Sequence, residues 1–369
     1  MGKLLSTSLI IALATQSVVQ GSDKNPVILG SHDGRVTQVA FSSDGKLLAS
    51  ASSDKTAVLW DLAKREKLRA LKHGSSCEGV AFSPNSKLIA VPTTAWFEAQ
   101  WDKENSIEMP TACTLIWDVS TGKEKARLTK ELKLSNPPDG VAFSPNGKIL
   151  AVGIRRESEE KGGQPRVQIW DVEKGNLITT LEAPSAVHSL CFSPKGDLLA
   201  VASGNHINRT GEVTLWEVGT YKSLKRMESK DDPIFAVAFS PDGKLIAAGG
   251  GYFRTEILQK PRTSLLKIWN VNTGKEIGRF EGQNDPIFSL SFSPDGKKLA
   301  SAGGDFESSN ELVVWEVTSQ KALTSAQGHT DIISSVAFSP DGAWLATGSW
   351  DKTIKLWKIT EFLAKDRQK

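Results

Sequence analysis

The chain is poor in the residues that reactive chemistry needs. Its three cysteines (Cys77, Cys113 and Cys191) cannot build a disulfide framework, and none stands in a C-x-x-C pair that would hold zinc through thiolates. Five histidines (His32, His73, His188, His206 and His329) leave little for metal-dependent or acid–base catalysis. Charge of one sign is lacking too. Lys and Arg number 45 against 42 Asp and Glu, a net of +3, so no basic excess is available to neutralise a phosphate backbone, and nucleic acid is not an expected partner. There is no G-x-S-x-G elbow, phosphate-binding glycine loop or paired-carboxylate motif. No cofactor is implied. What remains is an ordinary globular balance of 39% hydrophobic and 24% charged residues, with one oddity: eleven tryptophans against two tyrosines.

Periodicity accounts for the tryptophans. One phrase recurs seven times: FSSDGKLLA from Phe41, then close copies from Phe82, Phe143, Phe192, Phe239, Phe292 and Phe338. Each copy leads into an alternating stretch that ends in Trp60, Trp117, Trp170, Trp216, Trp269, Trp315 or Trp357. The apolar triplets on either side of Ser-Pro-Asp-Gly are strands, and the tetrapeptide is a tight turn: Pro presets φ, Asp bonds to the local backbone and Gly accepts positive φ. A Thr-Gly turn after the Trp strand repeats the device. Each unit is therefore a four-stranded antiparallel meander, and seven in tandem predict an all-β closed architecture.

The pattern resembles the WD40 repeat family over roughly residues 25 to 360, with Trp60-Asp61, Trp117-Asp118 and Trp170-Asp171 carrying the signature dipeptide before it drifts in later units. The resemblance implies a seven-bladed β-propeller in which strand a lines the central channel and strand d forms the rim. Val27-Ile28-Leu29 has no blade of its own. Beside the Trp357 strand it would supply the missing fourth strand of the last blade and remove a free edge. The propeller is expected over residues 22–369, as one monomeric domain.

The repeats differ mainly in one connection. From Phe to Trp the intervals are 19, 35, 27, 24, 30, 23 and 19 residues, so the length variation falls between strands b and c. In a WD40-like blade that loop shares the top face with the d–a loop, and insertions gathered on one face of a repeat scaffold mark a binding face. Two blades keep a full set of polar positions: His32, Ser50, Asp54 and Trp60 in blade 1, and His329, Thr347, Asp351 and Trp357 in blade 7. The family implies a hydrogen-bonded chain through these four, with a structural rather than catalytic role. Blade 2 keeps His73 but has Val91 and Thr111 at partner positions, and blades 3 to 6 lack the histidine, so other contacts must hold their top loops.

Carried over from the family's top-face contact positions, the residues four before each Phe are Thr37, Glu78, Asp139, His188, Phe235, Phe288 and Ser334. Those six before include Arg35 and Ile332. Glu78, Asp139 and His188 form a polar arc, Phe235 and Phe288 an aromatic one. Trp96 and Trp101 in the longest loop, and Trp350 beside Asp351, add aromatic surface to the same face. These residues point to a non-catalytic scaffold that binds a protein or peptide partner. An alternative is a lactonase-like catalytic propeller with a divalent metal held by Glu78, Asp139 and His188, though no spacing demands one.

Residues 1–21 read as a signal peptide, with Lys3, an apolar core over Leu9 to Ala14 and small-residue exits at Ala14 or Gly21. The stretch is too short and too polar to span a membrane. It predicts a periplasmic or secreted protein, the alternative being a cytoplasmic one.

Overall fold

The computed structural model describes residues 26–93, 113–128, 138–154, 164–205, 208–230, 232–252, 263–305 and 310–364, leaving aside the side chains of residues 138, 139 and 263. The chain folds as seven four-stranded antiparallel sheets, each a meander of consecutive strands a to d except the last. Blade 1 shows the plan. Strand a (Val36–Phe41) pairs with b (Leu47–Ser52), b with c (Thr56–Asp61), and c with the outer strand d (Glu66–Lys72). Strands b and c are the core strands. Leu48, Ala49, Ala51, Ala57 and Leu59 are fully buried, because both faces of a blade pack against its neighbours.

The a–b turns are locked in the same way around the ring. In blade 1 the Ser42 hydroxyl donates to Asp44 Oδ1 at 2.7 Å and accepts from Leu47 N at 2.9 Å, while Gly45 N bonds Ser42 O at 2.9 Å. Gly45 sits at φ +70°, a conformation in which a side chain is strained. At six junctions the proline of one turn lies against the glycine of the next blade's turn, as with Pro84 and Gly147 or Pro340 and Gly45, and between blades 1 and 2 Ser43 N donates to Ser86 Oγ at 3.0 Å instead. The bottom face is thus a continuous, regular ring.

Closure uses the N-terminal strand. Val27–Ser31 pairs antiparallel with Thr353–Lys358, matching Val27 with Leu356 and Ser31 with Thr353, and so completes the sheet of Ile333–Phe338 and Trp344–Ser349. Gly30 is needed there, because a Cβ would fall 2.2 Å from the Trp60 ring. After the last c strand comes a single helical turn, Ile359–Phe362, whose Phe362 ring meets Trp357 edge-on at 5.5 Å. Among the described residues no helix is long and apolar enough to cross a membrane.

Candidate functional site

The site begins with an irregularity of the inner strands. In six blades the a–b pairing skips one residue of strand a: Thr37, Asp139, His188, Phe235, Phe288 or Ser334 stands between two paired neighbours as the extra residue of a β-bulge. In blade 2 strand a is reduced to Ala81–Phe82, and Glu78 sits beside the isolated Cys77–Thr93 bridge, its N–H bonded to Pro92 O at 3.1 Å. A bulge re-aims the side chain it carries. Five of the bulge residues, Thr37, His188, Phe235, Phe288 and Ser334, line a cavity of about 200 Å³ at the channel mouth, and Glu78 of blade 2 joins them there without a bulge.

These residues also tie blade to blade. Thr37 Oγ1 donates to Cys77 O at 2.7 Å, and Ser334 Oγ donates to Val36 O at 2.7 Å, spanning blades 1 to 2 and 7 to 1. His188 meets the Phe235 ring edge-on at 5.1 Å, and Phe235 stacks on Phe288 at 5.3 Å with the planes 15° apart. One half of the mouth is therefore an aromatic wall and the other a rim of hydroxyls with the Glu78 carboxylate, which accepts from Ser76 Oγ at 2.6 Å. One turn deeper, Ser335 Oγ accepts from Val39 N at 3.1 Å and Gln38 Oε1 from Val80 N at 2.8 Å, fixing neighbouring inner strands to each other.

The remaining top-face positions separate. Arg35 is exposed, and its guanidinium lies 4.3 Å from the centre of the Trp350 ring. Ile332 requires correction as a contact residue. It is fully buried, because an isoleucine at that loop position gains more by turning into the core, while its carbonyl accepts from Trp350 N at 2.9 Å. Phe235, at 6% exposure, acts mostly as a backing for Phe288, which is half-buried. Trp96, Trp101 and the side chain of Asp139 lie outside the described residues, as does Thr111. Among the described residues no three His, Cys, Asp or Glu side chains converge in a metal-holding group.

The four-residue chains support the loops that frame this face. Trp60 Nε1 donates to Ser50 Oγ at 2.8 Å, Ser50 Oγ lies 2.7 Å from His32 Nε2, and His32 Nδ1 lies 2.8 Å from Asp54 Oδ2. Blade 7 repeats this through Trp357, Thr347, His329 and Asp351 at 2.9, 2.8 and 2.8 Å. Burial pulls both imidazoles below their ordinary pKa in spite of the neighbouring carboxylates. Burial opposes ionisation of Asp54 and Asp351 as well, yet hydrogen bonds from Thr56 and His32, and from His329 and Thr353, hold them below the usual carboxylate range. Neutral histidines relaying hydrogen bonds to loop backbone (Asp54 Oδ2 also accepts from Asp33 N at 3.0 Å) are braces.

Blade 6 holds a brace that the histidine search misses. Gln283 stands nine residues before Phe292, the histidine position, and its Oε1 accepts from Ser301 Oγ at 2.5 Å while Trp315 Nε1 donates to Ser301 at 2.8 Å. The signal was the position rather than the residue type. Blade 3 makes do with Trp170 Nε1 donating to Gln168 Oε1 at 3.2 Å.

Comparisons with known proteins agree with this geometry. The family model for the WD domain, G-beta repeat, matches residues 24–61, 274–315 and 320–358, and that for eukaryotic translation initiation factor eIF2A matches residues 129–277. THO complex subunit 3 of Arabidopsis thaliana is 24% identical over 280 residues, covering 74% of this chain and 75% of its own. A serine-threonine kinase receptor-associated protein of Gallus gallus is 23% identical over 278 residues, 74% of this chain and 65% of its own. Eukaryotic translation initiation factor 3 subunit I of Nematostella vectensis is 26% identical over 318 residues, 76% of this chain and 94% of its own. These names overturn the exported reading. Translation initiation takes place inside the cell, and relatives of that kind are at odds with a periplasmic or secreted protein; residues 1–25 themselves lie outside the described residues. The same names are those of complex subunits and an associated protein, not of enzymes. The chain carries WD40 repeats, matched in three places, and its seven tandem units fold as a seven-bladed β-propeller.

Proposed function

We propose that the protein is a scaffold whose top face holds a protein or peptide partner across the channel mouth, as one subunit of a larger assembly. The observation that carries this reading is the set of bulged residues from five blades that lines a single cavity together with Glu78, with Phe288 half-buried on one side and Glu78 on the other. An apolar ring beside polar groups, with exposed Arg35 over half-buried Trp350 at the rim, is the composition of an interface hot spot. The relatives named as subunits of the THO complex and of initiation factor 3 are consistent with a partner that is protein. The hydroxyls of Thr37 and Ser334 are spent between blades, so they shape the mouth, and affinity rests on Phe288, Glu78, Arg35 and Trp350.

Affinity capture from the native source tests this. The wild type should retain a stoichiometric partner that a Glu78→Gln/Phe288→Ala variant loses, while both melt at similar temperatures. A partner retained equally by both, or lost only by variants of the bottom turns, would contradict it.

A further inference from the structure

We propose that the seam between blades 7 and 1 carries a second docking surface, on the bottom face and the adjoining rim, for an acidic polypeptide that leads with a large apolar side chain. Two independent features meet there. The first is a cavity of about 570 Å³ walled by Phe41, Leu47, Leu62, Trp344 and Leu356. Trp344 stands where the other blades have Leu47, Leu88, Ile149, Leu198, Leu245 or Lys298, and its half-buried ring makes one wall. The Arg65 guanidinium lies 5.7 Å from the centre of that ring, at the lip.

The second feature starts at the next residue. Outer strand Glu66–Lys72 is the free edge of blade 1, and the segment from Lys64 to Lys72 has five cations (Lys64, Arg65, Lys67, Arg69 and Lys72) against the single carboxylate Glu66. The matching segment of blade 3, from Lys174 to Glu182, carries one cation and one carboxylate. Arg69 hydrogen-bonds the carbonyls of Ser120 and Thr121 in the next blade, which brings Lys123 and Lys125 into the same basic strip. Lys67, Lys72, Lys123 and Lys125 are exposed and make no ion pair among the described residues. Three acids line the cavity, and each is held to its own turn by a local hydrogen bond. Asp44 accepts from Ser42 Oγ at 2.7 Å, Asp61 Oδ1 from Ala63 N and Lys64 N, both at 3.0 Å, and Asp341 from Ser339 Oγ at 2.5 Å. The net positive charge of the site therefore lies on the strip rather than in the cavity.

Charge complementarity selects the occupant. A row of carboxylates laid along the edge would meet the cations and the unpaired backbone groups of the outer strand together, as in strand addition. Leu68, 46% exposed midway along that strand, offers an apolar contact between them. A nucleic-acid strand fits less well, since the strip presents no aromatic ring on which a base could stack.

Fluorescence anisotropy with a labelled synthetic peptide, a phenylalanine followed by alternating Glu and Val, tests the proposal on the full chain. Binding should weaken with rising salt, fall by about tenfold or more when each Glu is replaced by Gln, and fall similarly in a Lys64→Glu/Lys67→Glu/Lys72→Glu variant. Trp344→Leu, which restores the residue of the other blades, should weaken the Phe-led peptide but not a Ser-led one. The Gln-peptide arm uses the wild-type protein alone, so a variant that fails to fold leaves the test standing. No binding, equal binding of the Glu and Gln peptides, or polyuridylate binding as tightly with the same sensitivity to charge reversal would each overturn it.

Discussion

Blades 1 and 2 are neighbours built on one plan, and they differ where the plan is polar. In blade 1 a serine, Ser50, links Trp60 to His32 and through it to Asp54. In blade 2 the histidine and tryptophan are kept, but Val91 occupies the strand position of Ser50, opposite Leu115 as Ser50 is opposite Val58. Both ring nitrogens of His73 and the indole nitrogen of Trp117 are then buried without a hydrogen-bond partner among the described residues, although the rings still meet edge-on at 5.2 Å. The packing geometry survives and its polar connection does not. The same blade has the shortest inner strand among the described residues and the longest b–c interval in the sequence. The lesson is that the hydrogen-bonded chain braces the top face locally, blade by blade, and the ring tolerates its absence from several of them.

Removing the indole tests the comparison most severely. Trp60→Ala should cost about 3–5 kcal/mol through the cavity it leaves, and Trp117→Ala about 1 kcal/mol less, since Trp117 has no hydrogen bond to lose. Denaturant unfolding of the two variants checks the difference. Equal losses would show that the polar chain adds nothing to the packing of the ring.

Acid comes next. Burial holds the His73 imidazole down at about 4, against an ordinary value near 6.5. The unfolded chain therefore takes up a proton on this side chain before the folded one does. The stability tied to its neutral form is complete above about pH 6.5 and is lost as pH falls toward about 4, a cost approaching 3 kcal/mol. His32 and His329 are lowered in the same direction and add to the slope. Melting curves between neutral and weakly acid pH should flatten in a His73→Phe variant relative to wild type; an unchanged slope would contradict the assignment.

The two smaller effects exchange the blades' chemistry. Ser50→Val copies blade 2 into blade 1, orphans Trp60 Nε1 and His32 Nε2, and should cost about 2 kcal/mol. Val91→Ser makes the reverse change and should stabilise by about 1 kcal/mol or less, once the lost valine packing is set against two new hydrogen bonds. A downfield shift of the Trp117 indole proton in the NMR spectrum would report the new bond directly.

Repetition made the architecture legible. Seven Ser-Pro-Asp-Gly-type turns and seven tryptophans at matched spacing leave one closed topology, and Val27 to Leu29 was the apolar segment without a blade. The channel-mouth residues were legible as positions, but the reason they converge was not. A β-bulge is a backbone event, and nothing in the side chains of Thr37, His188 or Phe288 announces it. Ile332 misled because a repeat position does not encode burial; at the same offset Arg35 is exposed. Gln283 escaped because the search was for an imidazole, whereas the site asks only for an acceptor to the serine hydroxyl. Trp344 stands in the apolar stretch after the last Ser-Pro-Asp-Gly turn, and only packing across the closure seam gives it a cavity to wall.

The central claim is that a partner sits across the channel mouth, and hydrogen–deuterium exchange of the captured complex tests it most directly. The account predicts protection of the d–a loops and inner-strand segments around Arg35 to Thr37, Glu78, His188, Phe288 and Trp350, with the a–b turns at Gly147, Gly243 and Gly296, away from the blade 7–1 seam, unchanged. Protection confined to those bottom turns, with the channel-mouth segments exchanging as in the free protein, would contradict it.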